Sequence, residues 1–332
     1  MGNCIDEQMI LSLPKAELHV HIEGTLEPEM IFKFAHRNNT VLPYANASLL
    51  KKAYDFTNLQ SFLNIYYAGA GSLIKEQDFY EMTYAYLVRA WADNVRHAEI
   101  FFDPQTHTSR GVSFETIING LSRACKDFGG VTGMTSGLIM CFLRHLSEDE
   151  AITTYHQMIP FRDKIIGVGL DSSEVGHPPS KFARVFAMAK SDGLHLVAHA
   201  GEEGPSEYIW EALNLLKVER IDHGVRCLED PNLVSFLRDS QTTLTVCPLS
   251  NVKLRVFDNM SISNLPLLLK SGLRVTINSD DPSYFGGYIN DNYRAVFANL
   301  SLNNEDAITM AKNSFKGAFI SEQQKSKYLA LF

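Results

Sequence analysis

The chain has 332 residues, 45% of them hydrophobic and 20% charged, and a formal net charge of −8. That balance supports a large buried core, and with no basic run or stripe it excludes a broad nucleic-acid surface. The start, Met1-Gly2-Asn3-Cys4-Ile5-Asp6, reads as no signal peptide. Position 6 lacks the Ser or Thr of a myristoylation signal, and the apolar runs are too short to span a bilayer.

Eight short, β-rich apolar runs follow in chain order, each ending in polar or charged residues. They cover 16–21, 98–103, 137–144, 165–171, 194–199, 220–223, 243–248 and 273–280. Amphipathic stretches between them predict helices, among them 179–191, 205–216 (with Ser206 ahead of Glu207 as its cap) and 231–239. Strand alternating with helix demands a mainly parallel sheet. Eight units in one chain of this length predict a single (β/α)₈ barrel domain spanning 1–332, since no Gly-rich phosphate loop favours a doubly wound sheet. An aromatic-rich insertion, roughly 24–95, separates the first two strands and is expected to form helices over the barrel mouth.

Active sites of such barrels lie where the strands end. The first strand ends in His19-Val20-His21, the fifth in His199, the sixth in His223 and the eighth in Asp280-Asp281. Strand residues two apart face the same side, so His19 and His21 point together. An isolated His-x-His pair fits two hydrogen-bonded core histidines as well as a metal. Joined by His199 and Asp280, it becomes a ligand set suited to one Zn²⁺ with a position left for water. Zinc lowers the pKa of that water from 15.7 to about 7. Glu202, three residues after His199 on a Gly-flanked loop, is the candidate general acid and base. Of the adjacent carboxylates, Asp280 can bind the metal while Asp281 faces the substrate, and His223 can orient the water. Asp222 is read as structural and Glu203 as a solvated charge.

The set His-x-His, His199-Ala200-Gly201-Glu202, Ile221-Asp222-His223-Gly224 and Ser279-Asp280-Asp281-Pro282, in this order, resembles the adenosine/adenine deaminases of the amidohydrolase barrel superfamily. The resemblance runs almost end to end. It implies zinc on His19, His21, His199 and Asp280, protonation of purine N1 by Glu202 as hydroxide attacks C6, a water-orienting His223, and Asp281 at N7.

Two departures resemble the branch that acts on the free base. Glu23 stands in His21-Ile22-Glu23-Gly24 where nucleoside enzymes carry a ribose-binding Asp. Asp171-Ser172-Ser173-Glu174 replaces a Gly-containing run after the fourth strand. The runs from Asp103 to Gly111 and from Cys247 to Leu254 resemble the same branch. The implied reaction is hydrolytic deamination of adenine to hypoxanthine and ammonia. Adenosine or an N6-substituted adenine stands as the alternative substrate. Glu174, with Glu23, is expected to occupy the sugar space and accept a hydrogen bond from the ring edge.

Two-metal amidohydrolases need a Lys after the fourth strand, and none stands there. His97-Ala98-Glu99 lacks the P-C-x-x-C of the cytidine-deaminase zinc fold. A binding barrel without catalysis is disfavoured, because every ligand and proton-donor position is filled. Five widely spaced cysteines, an odd number with no C-x-x-C pair, read as free thiols of a cytoplasmic protein. The expected partner is a small purine base, with no nucleic acid and no membrane; a homo-oligomer is left open.

Overall fold

The computed structural model describes residues 7–332. Eight strands run in sequential order with parallel neighbours: β1 (Lys15–His21), β2 (Val95–Phe102), β3 (Thr135–Leu143), β4 (Gly167–Asp171), β5 (His195–Ala200), β6 (Arg220–His223), β7 (Thr243–Val246) and β8 (Arg274–Ile277). β8 returns to β1 at the mouth. The His21 amide donates to the Asp280 carbonyl at 3.0 Å, and the Asp280 amide donates to the His19 carbonyl at 3.1 Å. Lower down, the Leu18 amide donates to the Asn278 side chain at 2.9 Å. The seam that closes the barrel therefore also fixes two histidines against Asp280. The fold is the (β/α)₈ barrel the alternating pattern implies.

Each strand is almost wholly buried because both of its faces are covered. Inside, Phe101, Ile139, Cys141 and Val197 form a packed floor. At Gly169 a Cβ would come within 2.5 Å of Cys141 Sγ, so this strand needs glycine where the interior is tightest. β1 shifts register against β2 between Glu17 and Val20, a local irregularity beside His19. His19 and His21 nevertheless share the inner side, and both rings rest on Phe101, with centroids 5.0 and 5.2 Å away.

Between β1 and β2 lie a turn of 3₁₀ helix (Glu23–Thr25) and four helices, Pro28–Asn38, Ala47–Lys52, Leu59–Ala70 and Glu76–Ala92. The third covers the mouth. Its Phe62 ring packs on Tyr284 and Phe285 at 5.5 and 4.6 Å, in the turn that follows Asp281. One local expectation needs correction. Pro205, not Ser206, is the N-cap residue of the helix Ser206–Glu211, and no side chain caps it; the helix then continues as a π turn, Ala212–Leu216. Ser206 is already the first helical residue, so its hydroxyl stands one position too late to cap the turn.

Candidate active site

The C-terminal strand ends converge on one cavity. His21, His199 and Asp280 line it, and together with His19 each offers one ligand atom, all within 4.8 Å of one another and all buried. His21 Nε2 and His199 Nε2 are 3.2 Å apart, and Asp280 Oδ1 lies 3.2 Å from His19 Nε2 and 3.5 Å from His21 Nε2. Ligands about 2.0–2.1 Å from a tetrahedral zinc are separated by roughly 3.3–3.4 Å. The donor set thus has the spacing and the chemistry for such an ion. His19 Nε2 is buried without a hydrogen-bond partner among the described residues, as a ligand nitrogen would be.

The outer nitrogens explain why the Nε2 atoms face inward. His19 Nδ1 meets the Thr245 hydroxyl at 2.9 Å, and that hydroxyl donates to Asp222 at 2.8 Å. His199 Nδ1 lies 3.6 Å from the other Asp222 oxygen, and His21 Nδ1 lies 3.4 Å from Asp171. The carboxylate-bound hydroxyl on His19 Nδ1 holds the proton there and leaves the Nε2 lone pair free, and a carboxylate stands beside Nδ1 of each of the other two, the arrangement metal-binding histidines favour. Asp222 is structural, as its place one residue before His223 suggests, and its task is to back two of the histidines.

His223 and Asp280 hold left-handed backbone at the strand ends, with φ of 61° and 63°, as does Ser172 with 74°. Such strain in non-glycine residues persists where the surroundings impose it and concentrates at functional sites. It turns His223 inward: Nε2 lies 3.5 Å from Glu202 Oε2 and 3.7 Å from Asp280 Oδ2. Asn251 Nδ2 donates to His223 Nδ1 at 3.2 Å, which puts the ring proton on Nε2. Burial, and then the nearby His19, push the His223 pKa down to about 3, so the ring is neutral. Burial likewise pushes His199 well below its usual range.

Glu202 is buried with Oε1 unpartnered. Burial first, then Asp280 and Glu174, raise its carboxyl well above the usual range, which favours its acid form. Asp281 is raised in the same way, by burial and then by Asp280, and its Oδ1 is buried and unpartnered. The chain passes tightly behind it: a Cβ on Gly24 would fall 2.0 Å from that oxygen.

The structure corrects the expectation for Glu174. Its Oε1 accepts from the Gly201 amide at 2.7 Å, and its Oε2 accepts from the amides of Glu202, Glu203 and Gly204 at 3.1, 2.8 and 2.7 Å. Both oxygens are committed to the loop that carries Glu202, so Glu174 shapes that loop and does not line the cavity. Glu174→Ala would leave four amides, three of them buried, without their acceptor, at about 1–3 kcal/mol for each buried unsatisfied donor. We expect a lower melting temperature, and kcat for the implied deamination reduced at least as much as KM is raised. Wild-type kcat and melting temperature in that variant would refute the loop role. Glu23 also stands back from the cavity. Its Oε1 accepts from His107 Nε2 at 2.9 Å and from the Asp103 amide at 3.2 Å. Glu203, by contrast, is partly buried and raised by that burial, not simply solvated.

Asp103 and Asp171 line the cavity, and no catalytic or metal-binding role was expected of either from the sequence. Burial, then Asp171 and Glu23, raise the Asp103 carboxyl well above its usual range. The signal that could have found them is the one that found His199 and His223, since both carboxylates stand at strand ends.

Residues 14–331 match the adenosine deaminase family profile. The chain belongs to the adenosine deaminase family. Within it, the chain is 60% identical over 322 residues to a curated adenine deaminase from Acinetobacter baylyi, covering 97% of each protein. It is also similar to the crystal structure of adenine deaminase from Arthrobacter aurescens, at 51% identity and a TM-score of 0.94, covering 96% of this chain and 97% of that one. An amidohydrolase from Burkholderia ambifaria, solved with bound Zn, superposes with a TM-score of 0.90 at 25% identity, over 98% of this chain and 90% of that one. Among the described residues no helix is long and apolar enough to cross a membrane.

Proposed function

We propose that the protein hydrolyses the C6–amino bond of adenine, giving hypoxanthine and ammonia. The observation that carries the reading is the near-full-length 60% identity to an adenine deaminase, joined to a buried proton donor, Glu202, above a four-donor cluster. His19, His21, His199 and Asp280 would hold one zinc ion. Bound there, zinc would supply the Lewis acidity that makes water a nucleophile at neutral pH.

The chain's own residues do the rest. Glu202 carries its proton on the unpartnered oxygen and delivers it to N1, which draws electrons out of C6 as water adds. His223, with its proton on Nε2 between Glu202 and Asp280, orients the attacking water. Asp281, held protonated, donates to N7 and fixes the ring in its plane. Leu59, Phe62 and Leu63 from the insertion line the cavity with apolar surface, and the lower local dielectric strengthens each of these interactions. The four described cysteines are free and three of them are buried, which supports a reducing cytoplasm as the setting.

The test is a paired ultraviolet assay of the purified, zinc-loaded protein on adenine and adenosine at equal concentration, with metal content measured on the same sample. Rapid loss of adenine absorbance, little change with adenosine and about one zinc per chain are expected. Faster turnover of adenosine, or of an N6-substituted adenine, would replace the substrate and keep the chemistry.

A further inference from the structure

Four carboxyl groups lining the cavity, Glu202, Asp281, Asp103 and Asp171, each hold at least one buried oxygen with no partner among the described residues. Glu202 and Asp281 have their use at N1 and N7 if the substrate is adenine, and the role left for the remaining carboxyls rests on that proposed function. Asp171 has its use too, at 3.4 Å from His21 Nδ1. Asp103 is left over: it is 3% exposed, its Oδ2 is met only weakly by the Tyr66 hydroxyl at 3.4 Å, and the other acid close to its carboxyl is Asp171, which lies near His21 and leaves Asp103 acceptor capacity to spare. A buried carboxyl left this bare costs folding free energy, and a native chain keeps one where a ligand completes it.

The strand order says which part of the base would reach it. Around the barrel from Glu202, after β5, come β4, β3, β2, β1 and β8, which leads to Asp281. Around a purine from C6 come N1, N3, N9 and N7. With C6 toward the histidine cluster, N1 at Glu202 and N7 at Asp281, the two sequences run in step. N3 then faces the end of β4, and N9 faces the end of β2, where Asp103 stands. We propose that Asp103 accepts the N9–H of the free base and is the residue that distinguishes a base from a nucleoside. Glu23 and His107 are its supports: Glu23 Oε1 binds both the Asp103 amide and His107 Nε2, and Arg110 donates to His107 Nδ1 at 2.8 Å. The task expected of Glu174 and Glu23 therefore falls on a different strand end from Glu174, to a side chain that Glu23 holds.

An N9-alkylated base lacks the proton and puts carbon against Asp103 Oδ1. A site built to hydrogen-bond an N–H rejects an analogue lacking it by about 10⁴-fold. The experiment compares adenine with 9-methyladenine on the zinc-loaded wild-type protein and on Asp103→Ala, with metal content and circular dichroism as controls. Wild type should prefer adenine by about 10⁴-fold. Asp103→Ala should raise KM for adenine by roughly 100-fold with a smaller change in kcat, because the contact is remote from the reacting carbon. Its preference over 9-methyladenine should collapse by two orders of magnitude or more, since the vacated space takes the methyl group. A merely structural role would lower both activities together and leave the ratio alone.

Should the alanine variant fail to fold, Asp103→Leu, which keeps the size of the side chain and removes both oxygens, carries the test: a raised KM for adenine supports the assignment and an unchanged KM overturns it. Wild-type protein that turns over adenine, with a variant of unchanged KM and ratio, overturns the assignment alone. Wild-type protein with no activity on adenine overturns the proposed function, and the assignment with it.

Discussion

Glu202→Gln should lower kcat on adenine by two to four orders of magnitude while leaving metal content and melting temperature near those of wild type. General acid catalysis contributes about 10²–10⁴-fold, or roughly 3–5 kcal/mol of barrier. The glutamine amide keeps the size of the side chain and can donate a hydrogen bond to N1, but it cannot transfer a proton. The loop itself is held through backbone amides by Glu174, so it should survive the change.

The pH profile gives a second readout. The Glu202 pKa is raised, so its acid form persists above the usual carboxylate range and is lost as pH rises through the raised value. In wild type this group accordingly sets an alkaline limb of kcat, and in Glu202→Gln that limb should vanish. A glutamine variant within about threefold of wild-type kcat would remove Glu202 from the proton-transfer step, since general acid catalysis contributes far more than that.

Chelation should abolish activity, and added zinc should restore it. The four donors stand at the spacing of a tetrahedral site, and three of them are imidazoles: His19 bonds Thr245 through its outer nitrogen, and those of His21 and His199 stand beside Asp171 and Asp222. Such preorganisation supports tight binding, and a ligand present at roughly a hundredfold excess over its Kd stabilises the native state by about 2.7 kcal/mol. The stripped protein should therefore melt at lower temperature. His199→Ala should show both defects and should not be rescued by zinc at concentrations that restore the stripped wild type. Full activity after exhaustive chelation, with no metal detected, would rule out the metal reading. Asp222→Asn is expected to act more gently, loosening metal affinity about 10–100-fold through the two histidines it backs.

Much of this site could be read along the chain because barrel strands bring their C-terminal ends to one face whatever lies between them. That is why His19, His21, His199, His223, Asp280 and Asp281, taken from strand ends far apart in the chain, converge. Glu202 followed from its place three residues after a strand-end histidine. The errors came where one carboxylate had to be told from another. Glu174 and Asp103 are both acidic residues just past a strand, and periodicity treats them alike. Glu174 meets four backbone amides of a neighbouring loop, whereas Asp103 lines the cavity with one oxygen buried and no backbone amide on its carboxyl. Which of the two is satisfied depends on where the loop after β5 folds back, a long-range property with no local sequence signature.

The amino-acid order by itself determined the alternation of strands and helices, the number of barrel units, and the histidines and carboxylates that stand at strand ends. These follow from patterns that repeat over a few residues and from a fold whose topology leaves little freedom. Tertiary structure alone decided how those groups are tuned. Closure of β8 on β1 sets Asp280 against two histidines; Asp222, Thr245 and Asp171 fix which ring nitrogens face inward; burial raises Glu202 and lowers His223. Proton positions and ligand geometry depend on partners distant in sequence and on exclusion of water, and both exist only once the barrel is closed.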